Sequence, residues 1–172
     1  MSAKPQTRYI SNEEHYSEVL RRMERVKREL WIGTADLKDV YMQNGTPLLG
    51  LLAKLLKRGV NVRLIHAKEP GENFRADFDR YPILIKSLER MLCPRVHFKL
   101  IIYDLTTAYI GSANFTGAGL GAKGAKRRNF EAGVLTSDPA LVQAAVEQFD
   151  TLWMGAPCRN CARKAYCADG AD

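Results

Sequence analysis

One stretch, Arg95 to Thr116 (RVHFKLIIYDLTTAYIGSANFT), limits the architecture of this chain more than any other. Val96, Phe98, Leu100 and Ile102 take every second position, the period of a strand with one face against a core. His97 and Lys99 fall on the opposite face, about 6.5 Å apart along the strand. Asp104 closes that run. A second short strand, Ala108 to Ile110, then leads into Gly111, Ser112 and Asn114. An unpaired lysine is costly to bury and is rarely found inside. A strand carrying an imidazole beside an ammonium therefore asks for an anion between them.

The chain has 172 residues, enough for one domain with a sizeable core. Its formal net charge is +7, which favours an anionic partner such as nucleic acid or an acidic membrane surface over an uninvolved basic surface. No stretch reaches membrane-spanning length, and MSAKPQTRYISNEEHY has no apolar core of the signal-peptide kind. A cytoplasmic protein is expected, and in that compartment cysteines serve as thiols or metal ligands rather than disulfides.

Taken in order, residues 1–10 read as a loose arm or edge segment. Ser11 and Glu14 form a capping box for an amphipathic helix to about Glu29, with His15 exposed in its first turn. The arginines of its outer face read as a solvated surface. A strand is expected over Leu30 to Thr34, then a leucine-rich helix from Pro47 to Arg58 ended by Gly59. A strand follows over Val60 to Ala67, with His66 structural or on a pocket wall. Glu69 to Asp79 reads as a polar loop, and Pro82 to Met91 as a helix. Gly117 to Gly124 contains a G-x-G-x-x-G match, but strand-like residues, Asn129 to Leu135, follow it. A dinucleotide site needs a helix N-terminus there, so a mobile loop at the mouth of a site is the better reading. Pro139 to Met154 is an amphipathic helix. Strands alternating with helices give an α/β sandwich.

The spacing H-x-K-x4-D-x6-G-S-x-N, carried by His97, Lys99, Asp104, Gly111, Ser112 and Asn114, resembles the HKD signature of the phospholipase D superfamily. Six fixed residues at fixed spacing arise by chance on the order of once in a million chains of this size. The resemblance implies a mixed β-sheet sandwiched between helices over residues 1–155, with one motif per chain, as in the single-motif, nuclease-like branch. It implies half an active site completed by a homodimer. One His97 would be the nucleophile and the other the acid, with Lys99 and Asn114 on the phosphate oxygens and no catalytic metal. Glu131 is the matching candidate for the group that orients the imidazole, with Ser112 assisting. Asp104 is expected to tie the scaffold together. Lys123, Lys126, Arg127 and Arg128 are candidate substrate contacts. Small size, a single motif and this basic loop favour an endonuclease. A cardiolipin-type lipid hydrolase comes next, then an idle nucleic-acid-binding module, against which the intact His97, Lys99 and Asn114 argue.

Residues 156–172 form a short polar tail containing Cys158, Cys161 and Cys167 in a C-x2-C-x5-C pattern; Cys93 is the fourth cysteine. A two-residue gap lets two thiolates reach one metal. The four-residue pattern resembles the iron–sulfur arrangement of RecB-like nucleases. A structural zinc held by four thiolates is equally compatible, as are reduced thiols or disulfides in a disordered tail.

Overall fold

The computed structural model describes residues 4–38 and 40–168. Residues 1–3 of the expected arm and 169–172 of the expected tail lie outside it. Among the described residues, seven strands form one mixed sheet: β1 (Thr7–Ser11), β2 (Glu29–Thr34), β3 (Asn61–His66), β4 (Glu89–Leu92), β5 (Lys99–Tyr103), β6 (Thr107–Gly111) and β7 (Ala132–Thr136). Among the described residues, four α-helices accompany them: α1 (Leu48–Lys57), α2 (Glu72–Asp79), α3 (Pro82–Ser87) and α4 (Pro139–Trp153). The strand order is β1-β7-β6-β5-β2-β3-β4, which puts β5 at the centre. Pairs β2–β3 and β3–β4 are parallel, and the other pairs are antiparallel.

Strand alternation divides the core into two layers. On β5, Ile101 and Tyr103 join the layer built from α1 and the first helical segment. Leu100 and Ile102 join the layer under α4, with Val142, Ala145 and Phe149. Val96 belongs to this second layer and Phe98 packs against it, as the alternation of the motif strand requires. Burying such a set on both faces stabilises the sheet by roughly 1.5–3 kcal/mol for each large apolar side chain. A helix–sheet–helix sandwich results.

Several local expectations are corrected. The first helix spans only His15–Leu20 and Arg21–Arg25, and the chain is already extended at Val26. Glu29 must join β2, whose pairing with β3 and β5 overrides the helical pattern. Ser11 ends an edge strand, and its N–H donates to Glu14 Oε2 at 2.9 Å. Residues 72–79 are a helix, not a loop. Phe74 and Phe78, four apart, stack at 6.2 Å, and buried Asp77 accepts the Tyr41 hydroxyl at 2.5 Å. The helix from Pro82 stops at Ser87, and Glu89–Leu92 becomes an edge strand secured by the Arg63–Glu89 ion pair at 2.8 Å. The glycine-rich stretch is packed in its first half: Leu120 is fully buried, and a Cβ on Gly119 would lie 2.6 Å from the Asn114 carbonyl oxygen.

Candidate active site

The sheet topology sends every motif residue but one to the same end. Lys99 begins β5 opposite Gly111, the last residue of β6, and Gly111 pairs with Gly133 near the start of β7. Gly33, at the end of β2, pairs with Leu100. His97 therefore precedes β5 at the end where Ser112 and Asn114 leave β6, Glu131 enters β7, and Thr34 and Asp36 leave β2. His97 lies just outside the ladder rather than inside a strand, and it is exposed. Its neighbour Phe98 fixes the segment by lying across β2, where a Cβ on Gly33 would sit 2.1 Å from the ring. Only glycine leaves that space.

Lys99 Nζ donates to the His97 carbonyl oxygen at 2.7 Å and lies 3.4 Å from the ring Nδ1. One anionic oxygen can thus touch ammonium and imidazole together. Asn114 is held from β2: its Oδ1 accepts the Asp36 N–H at 3.0 Å. The Thr34 hydroxyl donates to the Asp36 carbonyl at 2.7 Å and accepts the Phe115 N–H at 2.9 Å. With Oδ1 engaged, the Asn114 Nδ2 remains a donor for an oxygen outside the chain. Thr34 and Asp36 carry no sequence signal of their own, since they meet Asn114 only through strand order. Asp36 also pairs with Lys68 at 3.1 Å and Lys38 at 3.3 Å. Burial pushes its carboxyl up, but these two lysines more than offset that and hold it below the usual range. The three line a cavity of about 620 Å³ that also includes Glu69 and Phe74.

Glu131 directs its hydrogen bonds to partners other than His97 within this chain. One carboxylate oxygen accepts the Ser112 hydroxyl, and the other accepts Asn129 Nδ2 at 2.9 Å. Ser112 in turn accepts the Ala132 N–H at 3.0 Å. Of the basic segment, Lys123, Lys126 and Arg127 are exposed, whereas Arg128 is committed to Glu13 at 2.7 Å. Between that segment and Glu131 stands Phe130, 96% exposed, a rare state for phenylalanine.

Asp104 is the motif residue that lies elsewhere. It sits a strand length away, at the opposite end of β5, and its carboxylate accepts the backbone N–H groups of Lys27, Arg28 and Glu29 at 2.7–3.1 Å. Burial raises its pKa, but these three donors more than offset that and hold it below the usual range. This stabilisation is present above the ordinary carboxylate range and is lost as pH falls through the depressed folded value. Asp104→Ala should cost about 1–3 kcal/mol of stability by stranding these donors. Turnover measured well below the melting temperature should be nearly unchanged. A large loss of turnover at full folding would return Asp104 to the chemistry.

His15 is fully buried rather than exposed. Its Nδ1–H donates to the Asn12 carbonyl at 3.0 Å, which leaves Nε2 to accept the Tyr109 hydroxyl at 2.9 Å. That hydroxyl also accepts the Ala113 N–H at 3.2 Å, between Ser112 and Asn114. Burial pushes the Tyr109 phenol up to about 12, so it remains a donor. Burial also lowers the His15 pKa, against the opposing Asn12 carbonyl and the charges of Glu131 and Glu14. The unfolded chain then binds the extra proton. The stability contributed by neutral His15 is present above the ordinary histidine value of about 6.5 and is lost as pH falls through the folded value. The melting temperature should drop between about pH 7 and pH 5, and His15→Gln should flatten that drop. Equal pH slopes in the two proteins would count against this role.

Residues 19–153, more than half of the chain, match the family model described as "Cardiolipin synthase, PLD-like domain". "Phospholipase D Y" of Dictyostelium discoideum is 33% identical over 91 residues, 48% of this chain, and the match spans only 20% of that protein's length. NucT from Helicobacter pylori superposes with a TM-score of 0.67 at 12% identity, over 88% of this chain and 97% of that one. Nuc from Salmonella typhimurium, a phospholipase D family member, gives 0.62 at 21% identity, over 87% and 95%. These two likenesses concern the fold. With the fold, the motif end and the family match in agreement, the chain belongs to the phospholipase D-like family.

Proposed function

We propose that this protein is a metal-independent endonuclease working through a phosphohistidine at a site shared by two copies of the chain. The observation that carries this reading is the pairing of the exposed His97 with the half-buried Lys99, which supplies half of what the reaction needs. Attack at phosphorus requires a nucleophile, a proton for the leaving oxygen and positive charge on the non-bridging oxygens. A single imidazole cannot serve as nucleophile and acid in one step. A two-fold interface brings the same strand end of each copy to one point.

In that arrangement one His97 forms the nitrogen–phosphorus bond while the phosphorus–oxygen bond to the leaving group breaks. The second His97 gives its proton to the departing oxygen. It then takes a proton from water as the water oxygen attacks phosphorus and frees the first imidazole. Both Lys99 and both Asn114 hold the non-bridging oxygens, so their charge and donors replace a divalent ion. Asp36 places Asn114, and Glu131 with Ser112 orders the wall beside it. Phe130 provides an apolar anchor for the second copy. Lys123, Lys126 and Arg127 are exposed on the segment leading to Glu131 and would hold the backbone of a nucleic acid, and the net charge of +7 favours that polyanion.

The substrate is tested with EDTA-treated protein on labelled single-stranded DNA, duplex DNA, RNA and cardiolipin vesicles side by side. Cleavage of a nucleic acid in EDTA, with cardiolipin untouched, is expected. Cardiolipin turnover alone would move the substrate to phospholipid. Activity that returns only with added Mg²⁺, a hard cation that thiolates do not select, would overturn the two-lysine account.

A further inference from the structure

We infer that the four cysteines form a thiolate metal centre, taking zinc or an iron–sulfur cluster, that clamps the C-terminal segment against the stretch leading to His97. The first observation is which way the tail faces. Among residues 156–168, every residue is exposed except Cys158, Cys161 and Cys167. No large apolar side chain of this tail is buried, so hydrophobic burial does not offset the entropy of ordering it. The three thiols are what the tail turns toward the protein.

The second observation is how the backbone aims them. Cys158 N–H donates to Gly155 O at 2.8 Å, Cys161 N–H to Cys158 O at 3.1 Å, Lys164 N–H to Cys161 O at 3.3 Å, and Cys167 N–H to Lys164 O at 3.0 Å. The chain therefore turns once every three residues. Three-residue turns eclipse side chains at i and i+3. The gaps in C-x2-C-x5-C are both multiples of three, so this winding favours one face for all three sulfurs.

The third observation is what that face meets. Cys158 and Cys161 line a cavity of about 170 Å³ together with buried Cys93, Val96, Phe98 and Arg95. Cys167 donates its thiol to the carbonyl of Leu92, the residue before Cys93, at 3.3 Å. A cysteine 65 residues upstream of Cys158 is thus brought to the other three. Arg95 Nη1 stands 3.6 Å from Cys161 Sγ, a cation beside what would be a net negative centre. All four sulfurs are thiols. Cys93, Cys158 and Cys161 line this space, and Cys167 stands beside it at Leu92; among the described residues, no three His, Cys, Asp or Glu side chains are already set as metal ligands. A single zinc would draw the tail inward to about 2.3 Å bonds, whereas a cluster would fill the space between the sulfurs. Soft thiolates select either over hard cations. Because Cys93 precedes His97 by only four residues, and Val96 and Phe98 form the cavity wall, the centre would brace the nucleophile without entering its chemistry.

The test uses the full chain, purified anaerobically without chelator, and reads metal rather than turnover. It therefore stands or falls apart from the nuclease reading. Stoichiometric zinc in a colourless protein, or iron with matching acid-labile sulfide in a brown one, is expected. Cys93→Ser and Cys158→Ser should each lose the metal and melt earlier. Should these variants fail to fold, the wild type decides: after chelation and reduction it should take up Zn²⁺ or Co²⁺, with the thiolate-to-cobalt absorption of a sulfur site. Fresh wild-type protein with neither metal, together with no Zn²⁺ or Co²⁺ uptake by the reduced form, overturns the proposal. A Cys158–Cys161 disulfide in the fresh protein overturns it equally.

Discussion

His97→Ala is expected to reduce phosphodiester hydrolysis by roughly six orders of magnitude, the scale seen when a covalent nucleophile is removed. The exposed ring contributes nothing to either core layer, so circular dichroism and the melting temperature should match those of the wild type. Lys99→Ala should lower turnover by about 10²–10³-fold or more, since removal of one oxyanion-stabilising donor costs that much and a shared site loses two ammoniums at once. Lys99→Arg keeps the charge but changes its shape, and partial recovery is expected from it. Labelled phosphate trapped on wild-type protein after acid-free quenching, and absent from His97→Ala, would identify the covalent step. Wild-type turnover in a clean His97→Ala preparation would end the phosphohistidine mechanism.

The second large effect is expected from mixed subunits. Suppose wild-type and His97→Ala chains are unfolded together and refolded at equal amounts. If each site needs both imidazoles, only wild-type pairs work, and activity falls to about a quarter of the all-wild-type value by random pairing. Independent sites would retain about half by the same counting. The two curves separate further as the variant is placed in excess: a square law against a straight line. Phe130→Asp should act in the same direction by charging the proposed interface, producing monomer and loss of turnover while leaving the fold unchanged. Full activity at concentrations where sedimentation finds only monomer would remove the shared-site account.

Much of the site could be read from sequence because its central relation is local. Two positions apart in an extended chain means one face, so H-x-K by itself predicts that His97 and Lys99 stand together. The alternation of Val96, Phe98, Leu100 and Ile102 likewise predicts one core layer, but not that Ile101 and Tyr103 on the other face are buried as well. The α/β character and most strands followed from such patterns. The short elements did not. Phe74 and Phe78 hold a helix in a polar stretch, and Glu89–Leu92 became a strand because β3 offered an unpaired edge.

The relations that only the folded chain could supply cross the sheet. Strand order, not spacing, puts Thr34 and Asp36 beside Asn114, engages Glu131 with Ser112, and brings the N–H groups of Lys27, Arg28 and Glu29 to the Asp104 carboxylate. His15 has the sequence context of an exposed first-turn residue. It is buried because Tyr109, 94 residues later, rises from a central strand to meet it. Local period is a property of neighbouring dihedral angles and can be read along the chain. Which strand lies beside which is set by burying both faces of the sheet at once, a condition no single segment of the sequence contains.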